Sequence, residues 1–308
     1  MELFKDTHFD FLGRQRLFIA ASLLLTVAGL ASLIIKGGPR YGIDFLGGAV
    51  MDVQWAGAPP VSEIRSALSG RLPDVSVVEA HDLAGSNELM ISARLAGQTD
   101  LPALRQTIDD ALARVGRTYS VRSFEAVGPQ IGADLRNQAV LATASASAGM
   151  LAYLAWRFRW IYGVAAVVAV IHDTLITIGL FSLANKEISL TVVAALLTLI
   201  GYSMNDTIVV FDRIRENRKR LPREPLRAVV NLSINQTLSR TALSSGLTLL
   251  TALSLLWFGG LVLNGFSFAL VTGIIVGTYS SIFVESPILV AWEQVAPALS
   301  PVRVGGVQ

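Results

Sequence analysis

Residues 17–35 form a run of nineteen without one charged side chain. At about 1.5 Å per residue a helix of that length covers ~28 Å, close to the hydrocarbon core of a bilayer. Arg14 and Arg16 precede the run and Lys36 follows it. The competing reading is a cleaved secretory signal, with Ala28 and Ala31 as small residues near a cut site. Such a signal has an apolar stretch of only about 7–15 residues, and further spans follow here, so we read a retained membrane helix. Five more apolar runs lie at 138–156, 161–184, 188–211, 241–263 and 266–292. Composition agrees: 52% of residues are hydrophobic and 16% charged, with a mean hydropathy of +0.55. A soluble domain carries roughly 25% charged residues. The expected class is a polytopic α-helical membrane protein of six transmembrane helices. Disorder is excluded and an ordinary water-soluble enzyme disfavoured. With no cysteine, a disulfide scaffold, a thiolate metal site and a cysteine nucleophile are excluded too.

Orientation is read from Lys and Arg in the short flanking segments. With the N-terminus inside, fourteen cations fall on the inner side and one, Lys186, on the outer turns. The other ten lie in 36–136, too long a segment for its charge to be diagnostic. The expected layout is therefore a cytoplasmic N-terminus at 1–16, a first helix at 17–35, and a periplasmic domain with linkers at 36–135. A five-helix membrane region at 136–294 follows, with a basic cytoplasmic loop at 212–240, and a cytoplasmic tail at 295–308. Asn185-Lys186-Glu187 and Asn264-Gly265 read as tight outer turns. The basic cluster from Arg213 to Arg227 is explained by orientation alone. Docking of a cytoplasmic partner or anionic lipid is the alternative.

Residues 40–127 are too polar to span and read as one small domain. A strand is expected at 45–55, opening through Gly47-Gly48, then a helix at 61–72 after Pro59-Pro60. Residues 75–79 are β-rich, and Leu89, Ile91, Ala93 and Leu95 alternate as in a half-buried strand. Asp100 is placed to cap a helix whose apolar face is Leu101, Leu104, Ile108, Leu112 and Val115. Residues 118–126 read as a last strand. The order β-α-β-β-α-β is that of a ferredoxin-like sandwich. The domain shows no nucleophile–base pair and no metal spacing, and His81-Asp82 reads as a polar turn. A binding or mechanical module is expected, with no cofactor.

Ionisable groups inside the spans are the candidate functional residues, because a charge in mid-bilayer costs about 2.5–3.5 kcal/mol or more. His172-Asp173 lies mid-way along the third span, Asn205-Asp206 in the fourth, Arg240 at the start of the fifth, and Glu285 in the sixth, two residues before Pro287. Arg240 and Glu285 are near enough to the inner surface to snorkel. His172-Asp173 would also serve as a satisfied packing pair. Asp206 is harder to explain away: it lies roughly 9 Å inside the boundary on a short stem. Because successive spans run in opposite directions, Asp206 and Arg240 are expected at the same depth on adjacent helices. In general a buried carboxyl is most stable neutral, and a guanidinium beside it favours the carboxylate. Moving one relative to the other would therefore take up and release a proton. The small-residue stretch ATASASAG at 142–149 and the pair Gly273 and Gly277 would let helices approach closely. No phosphate-binding G-x-x-x-x-G-K-[ST] and no zinc-binding H-E-x-x-H occurs.

Several strings together resemble the SecF branch of the SecD/SecF family of protein-export membrane proteins. They are Gly42-Ile43-Asp44-Phe45 with Gly47-Gly48, Val127-Gly128-Pro129 with Gly132, Ile171-His172-Asp173, GYSMNDTIVVFDRIREN at 201–217 and NQTLSRT at 235–241. The resemblance implies one half of a pseudo-symmetric transporter related to the resistance-nodulation-division superfamily, in the bacterial inner membrane. It implies SecD as obligate partner, the SecYEG channel, preprotein as substrate, contact with membrane lipid, and no nucleic acid. It implies that the proton-motive force drives the export. The family's proton-transporting acid and arginine match Asp206 and Arg240, supported by Asn205, His172 and Asp173. Glu285 has no counterpart carried over. A proton-coupled small-molecule efflux transporter and a purely structural assembly factor remain as alternatives.

Overall fold

The computed structural model describes residues 7–55, 57–72, 75–81, 87–94, 101–115, 118–158 and 160–295. Among the described residues, six helices are long and apolar enough to cross a membrane. The first is α1 (Gln15–Ile35), which the glycines Gly37 and Gly38, both at positive φ, bring to an end. A single helical turn, α2 (Ile43–Leu46), leads into a four-stranded antiparallel sheet. Its elements are β1 (Gly48–Trp55), α3 (Val61–Ser69), β2 (Val75–His81), β3 (Asn87–Arg94), α4 (Leu101–Val115) and β4 (Tyr119–Val127). The strand order β2-β3-β1-β4 with two crossover helices is the ferredoxin-like sandwich expected. Inward residues alternate: Ala49, Met51 and Val53 of β1 face Leu89 and Ile91 of β3 under Ile64, Leu68, Leu104, Ile108 and Leu112 of the helices.

The opening strand begins three residues later than expected. Phe45 is helical, and Gly47 (φ 79°) and Gly48 (φ 150°) take backbone conformations that side chains resist, so the chain turns there before pairing starts. Asp100 and Asp82 lie outside the described residues, and His81 closes β2.

The remaining membrane helices are α5 (Pro129–Arg157), α6 (Trp160–Leu183), α7 (Leu190–Arg220), α8 (Leu226–Phe258) and α9 (Gly260–Ser280). One π-helical turn, Ser281–Glu285, joins α9 to α10 (Ser286–Val295), and together they make the sixth span. Pro287 accounts for the irregularity. It has no N–H to give back along the helix, and its ring crowds the preceding turn. The Ser286 hydroxyl donates to the Ser281 carbonyl instead, at 3.0 Å.

Two connections differ from expectation. The segment expected as a basic loop, 212–240, is helical except at 221–225, because α7 and α8 run on past the apolar stretch as polar helices. The last turn between spans falls at Gly259 and Gly260 (φ 67°), not at Asn264-Gly265, which are helical. Glycine takes this left-handed conformation without the steric cost that a Cβ brings. Asn264 instead accepts a hydrogen bond from Lys186 on the neighbouring turn.

Glycines set the closest helix contacts. A Cβ on Gly29 of α1 would sit 2.7 Å from Cα of Gly179 on α6. A Cβ on Gly273 would meet Leu199 of α7, and one on Gly277 would lie 3.2 Å from Cβ of Ser203. The small-residue face of α5 behaves differently: Ala142, Ala144, Ala146 and Gly149 are exposed.

The motif Gly42 to Gly48 clasps the sheet domain to the bundle. Gly42 N–H donates to the Ile188 carbonyl (2.9 Å), and Ile188 N–H to the Arg40 carbonyl (2.7 Å). Asp44 Oδ2 accepts from Leu190 N–H at 2.7 Å, satisfying an open donor at the start of α7. Gly47 and Gly132 let α2 press on the start of α5, for a Cβ at Gly47 would lie 2.7 Å from Pro129.

Candidate functional site

Three acids lie buried inside the bundle, one on α7 itself and two on elements packed against it. The helix positions them through Ser203, Asp206 and Thr207, which share one stripe because they are three and four residues apart. Asp206 is 2% exposed. Its Oδ2 accepts a hydrogen bond from Ser245 Oγ on α8 at 2.7 Å. On α6, Asp173 Oδ2 accepts from Ser203 Oγ of α7 and from Ser280 Oγ of α9, each at 2.9 Å. Its other oxygen meets His172 Nδ1 at 2.8 Å, and His172 Nε2 meets Ser22 Oγ of α1. Glu285, in the π turn, is 0% exposed, and its Oε1 lies 2.7 Å from Thr207 Oγ1. No ordinary packing requirement calls for three buried carboxyls, each of which is costly to desolvate.

The structure brings Asp173 and His172 into one hydrogen-bonded group with Ser203, Ser280 and Ser22, while Asp206 lies on the same stripe of α7 as Ser203 with its own partner, Ser245. It does not pair Asp206 with Arg240. Arg240 is exposed on α8, and among the described residues no hydrogen bond or ion pair joins the two. Ser245, five residues or about 7.5 Å further along α8, holds the carboxyl instead. Asn205 is also exposed, on the side of α7 turned away from Asp206. The snorkelling reading of Glu285 is overturned, because the π turn carries that side chain inward. Asn235 of the second motif serves the N-terminal segment: it accepts from Phe9 N–H and donates to the Phe9 carbonyl, both at 2.9 Å.

Sequence reasoning missed the hydroxyls, namely Ser203, Thr207, Ser245 and Ser280. Serine and threonine are common in membrane helices and donate freely to their own backbone, so nothing local marks these four. Matching their depths against the buried acids would have found Ser245. Among the described residues no group of three or more His, Asp or Glu is placed to hold a metal ion.

The family described as protein export membrane protein SecD/SecF, C-terminal, matches residues 107–295, which include every acid of the site. The chain belongs to the SecD/SecF family. Protein translocase subunit SecF of Koribacter versatilis is 41% identical, across 96% of this chain and 94% of that protein. The SecF subunit of Calditerrivibrio nitroreducens is 44% identical, across 93% and 95%. The crystal structure of SecDF, a translocon-associated membrane protein from Thermus thermophilus, superposes with a TM-score of 0.82 at 39% identity. That match covers 94% of this chain but 39% of the SecDF chain, so the chain spans about two fifths of that relative. The six spans and the sheet domain are thus the family's SecF-type architecture.

Proposed function

We propose that this chain is the SecF-type half of a protein-export machine that uses the proton-motive force. Asp206 carries the proposal: a carboxyl 2% exposed, inside a membrane span, held by one serine and by no ion pair among the described residues. An acid so placed exchanges a proton at little structural cost, since only Ser245 must reorient. Arg240 tunes it from a distance, and a closer approach in another conformation would expel the proton. The electrical part of the gradient supplies about 2.3 kcal/mol per charge per 100 mV, enough to bias such a step. His172 and Asp173 brace the neighbouring helices. The reaction is transport, not catalysis, and calls for no cofactor.

A SecD-type partner is proposed on two grounds. Relatives exist in which both parts form one named SecDF chain, as in Thermus thermophilus. Asn205 and Arg240 also leave polar groups exposed on membrane helices of the isolated chain, which a partner would cover. Further partners are the SecYEG channel and preprotein, with the sheet domain on the periplasmic side and both termini in the cytoplasm.

The test is Asp206→Asn, which keeps shape and hydrogen bonding and removes the exchangeable proton. Proton-dependent export in membrane vesicles is expected to fall to background while the variant still co-purifies with its SecD-type partner. Undiminished export would refute the assignment.

A further inference from the structure

Glu285 sits in a place that no proton path through Asp206 alone requires. Thr207 Oγ1 lies 3.0 Å from the Ser203 carbonyl and 2.7 Å from Glu285 Oε1. Both are hydrogen-bonding distances, yet a hydroxyl has a single hydrogen. A threonine inside a helix gives that hydrogen readily to the carbonyl four residues back. The short contact with Glu285 then needs a second hydrogen, and the carboxyl is the group that can supply it.

Among the described residues no other hydrogen-bond donor reaches this carboxyl. Ser280, Ser281 and Ser286 are fully buried close by, but their hydroxyls are committed to Asp173, to the Thr278 carbonyl and to the Ser281 carbonyl. Glu285 Oε2 has no hydrogen-bond partner, and among the described residues Glu285 enters no ion pair. The acids next to its neighbours are Asp173 on α6, which Ser280 holds, and Asp206 on α7, which precedes Thr207 in the chain. His172 of α6 is engaged with Asp173, and Tyr279 of α9 donates to the Phe18 carbonyl. On α1 Arg16 is exposed, and Glu293 of α10 is paired with Arg218. The π turn itself is a feature that recurs at functional sites.

We infer that Glu285 is a second proton-exchanging acid of the membrane core, with Thr207 as its switch. In this structure it carries a proton and donates it to Thr207 Oγ1, whose own hydrogen goes to the Ser203 carbonyl. When the proton leaves, the Thr207 hydrogen turns to the carboxylate and releases that carbonyl. Thr207 adjoins Asp206 on the chain, so the change reaches the first acid through one helical turn.

The inference extends the proton-coupling proposal, but its test does not depend on export. The purified full-length chain in lipid nanodiscs is measured by infrared spectroscopy in H₂O and D₂O over a pH series. A protonated-carboxyl C=O band that shifts in D₂O is expected at neutral pH, lost in Glu285→Gln and kept in Asp206→Asn. It should fade as pH rises, and Thr207→Val should move its position while circular dichroism stays native. A neutral-pH spectrum identical in wild type and Glu285→Gln overturns the inference. So does a band that persists at every pH at which the protein stays folded. Failure of Asp206→Asn to impair export would instead count against the proposed function alone.

Discussion

Asp206 depends on a single neighbour. Ser245 supplies its one hydrogen bond in the described structure, at 2.7 Å. Ser245→Ala leaves a buried acceptor unmet, a loss worth about 1–3 kcal/mol. We expect a lower thermal midpoint in detergent and reduced proton-driven export, with Ser245→Thr restoring both. Unchanged export in Ser245→Ala would show that the serine does not position the acid. Asp173 stands in contrast, with two serines and a histidine around it. Removing one of its contacts leaves the others in place, so its single-serine variants should be milder.

Among the elements, helix spacing follows from where a missing side chain is required and where it is merely allowed. Gly29 and Gly179 meet backbone to backbone, with no side-chain end to yield. Gly179→Ala is therefore expected to force α1 from α6 at a cost of about 1–3 kcal/mol, as overpacked sites show. Gly149 on α5 has nothing within 4 Å of a built Cβ. There the same change should be neutral or stabilise by up to about 1 kcal/mol, since alanine is the better helix former. Thermal unfolding of both variants in one detergent checks the pair, and equal losses would contradict the packing described. α7 and α8 teach a related point. Their polar extensions were hidden behind charge: Arg213 through Arg220 reads as loop when apolarity is the guide, yet Asn217 there is buried and donates to Ser233 and Gln236 of α8. Helices that pack on each other do not need lipid to stay helical.

At the largest scale, the core of the sheet domain is separate from the three apolar clusters of the helical part among the described residues. The sheet domain has its own, built from residues of β1–β3, α3 and α4, and joins the bundle through α2 and its glycines. The domain therefore responds to pH on its own terms. Burial, aided by the Asp109 charge, holds the Tyr119 phenol above its ordinary value of 10.0. The proton is bound more tightly in the folded state, so its contribution is complete below about pH 10. It is lost as pH climbs through the higher folded value. Tyr119 packs on Trp55, with ring centroids 5.3 Å apart, so Trp55 fluorescence reads the change. Tyr119→Phe is expected to flatten the alkaline loss of domain stability, and an unaltered alkaline profile would refute it.

The amino-acid order carries whatever depends on hydropathy and period. It specifies six spans, an alternating-strand domain of ferredoxin-like order, and the presence of ionisable residues where a membrane would penalise them. Those features are sums over many local preferences, and they survive errors of a few residues at each end. The strings at 201–217 and 235–241 pointed to the family for the same reason, being contiguous. Which acids meet which hydroxyls is set by how the helices pack. Pairing across helices depends on rotation about each axis, and one residue turns a side chain by about 100°. That rotation put Asn205 outside and Asp206 inside, left Arg240 without an ion pair to the acid whose depth it was expected to share, and, through one π turn just before Pro287, buried Glu285 against Thr207.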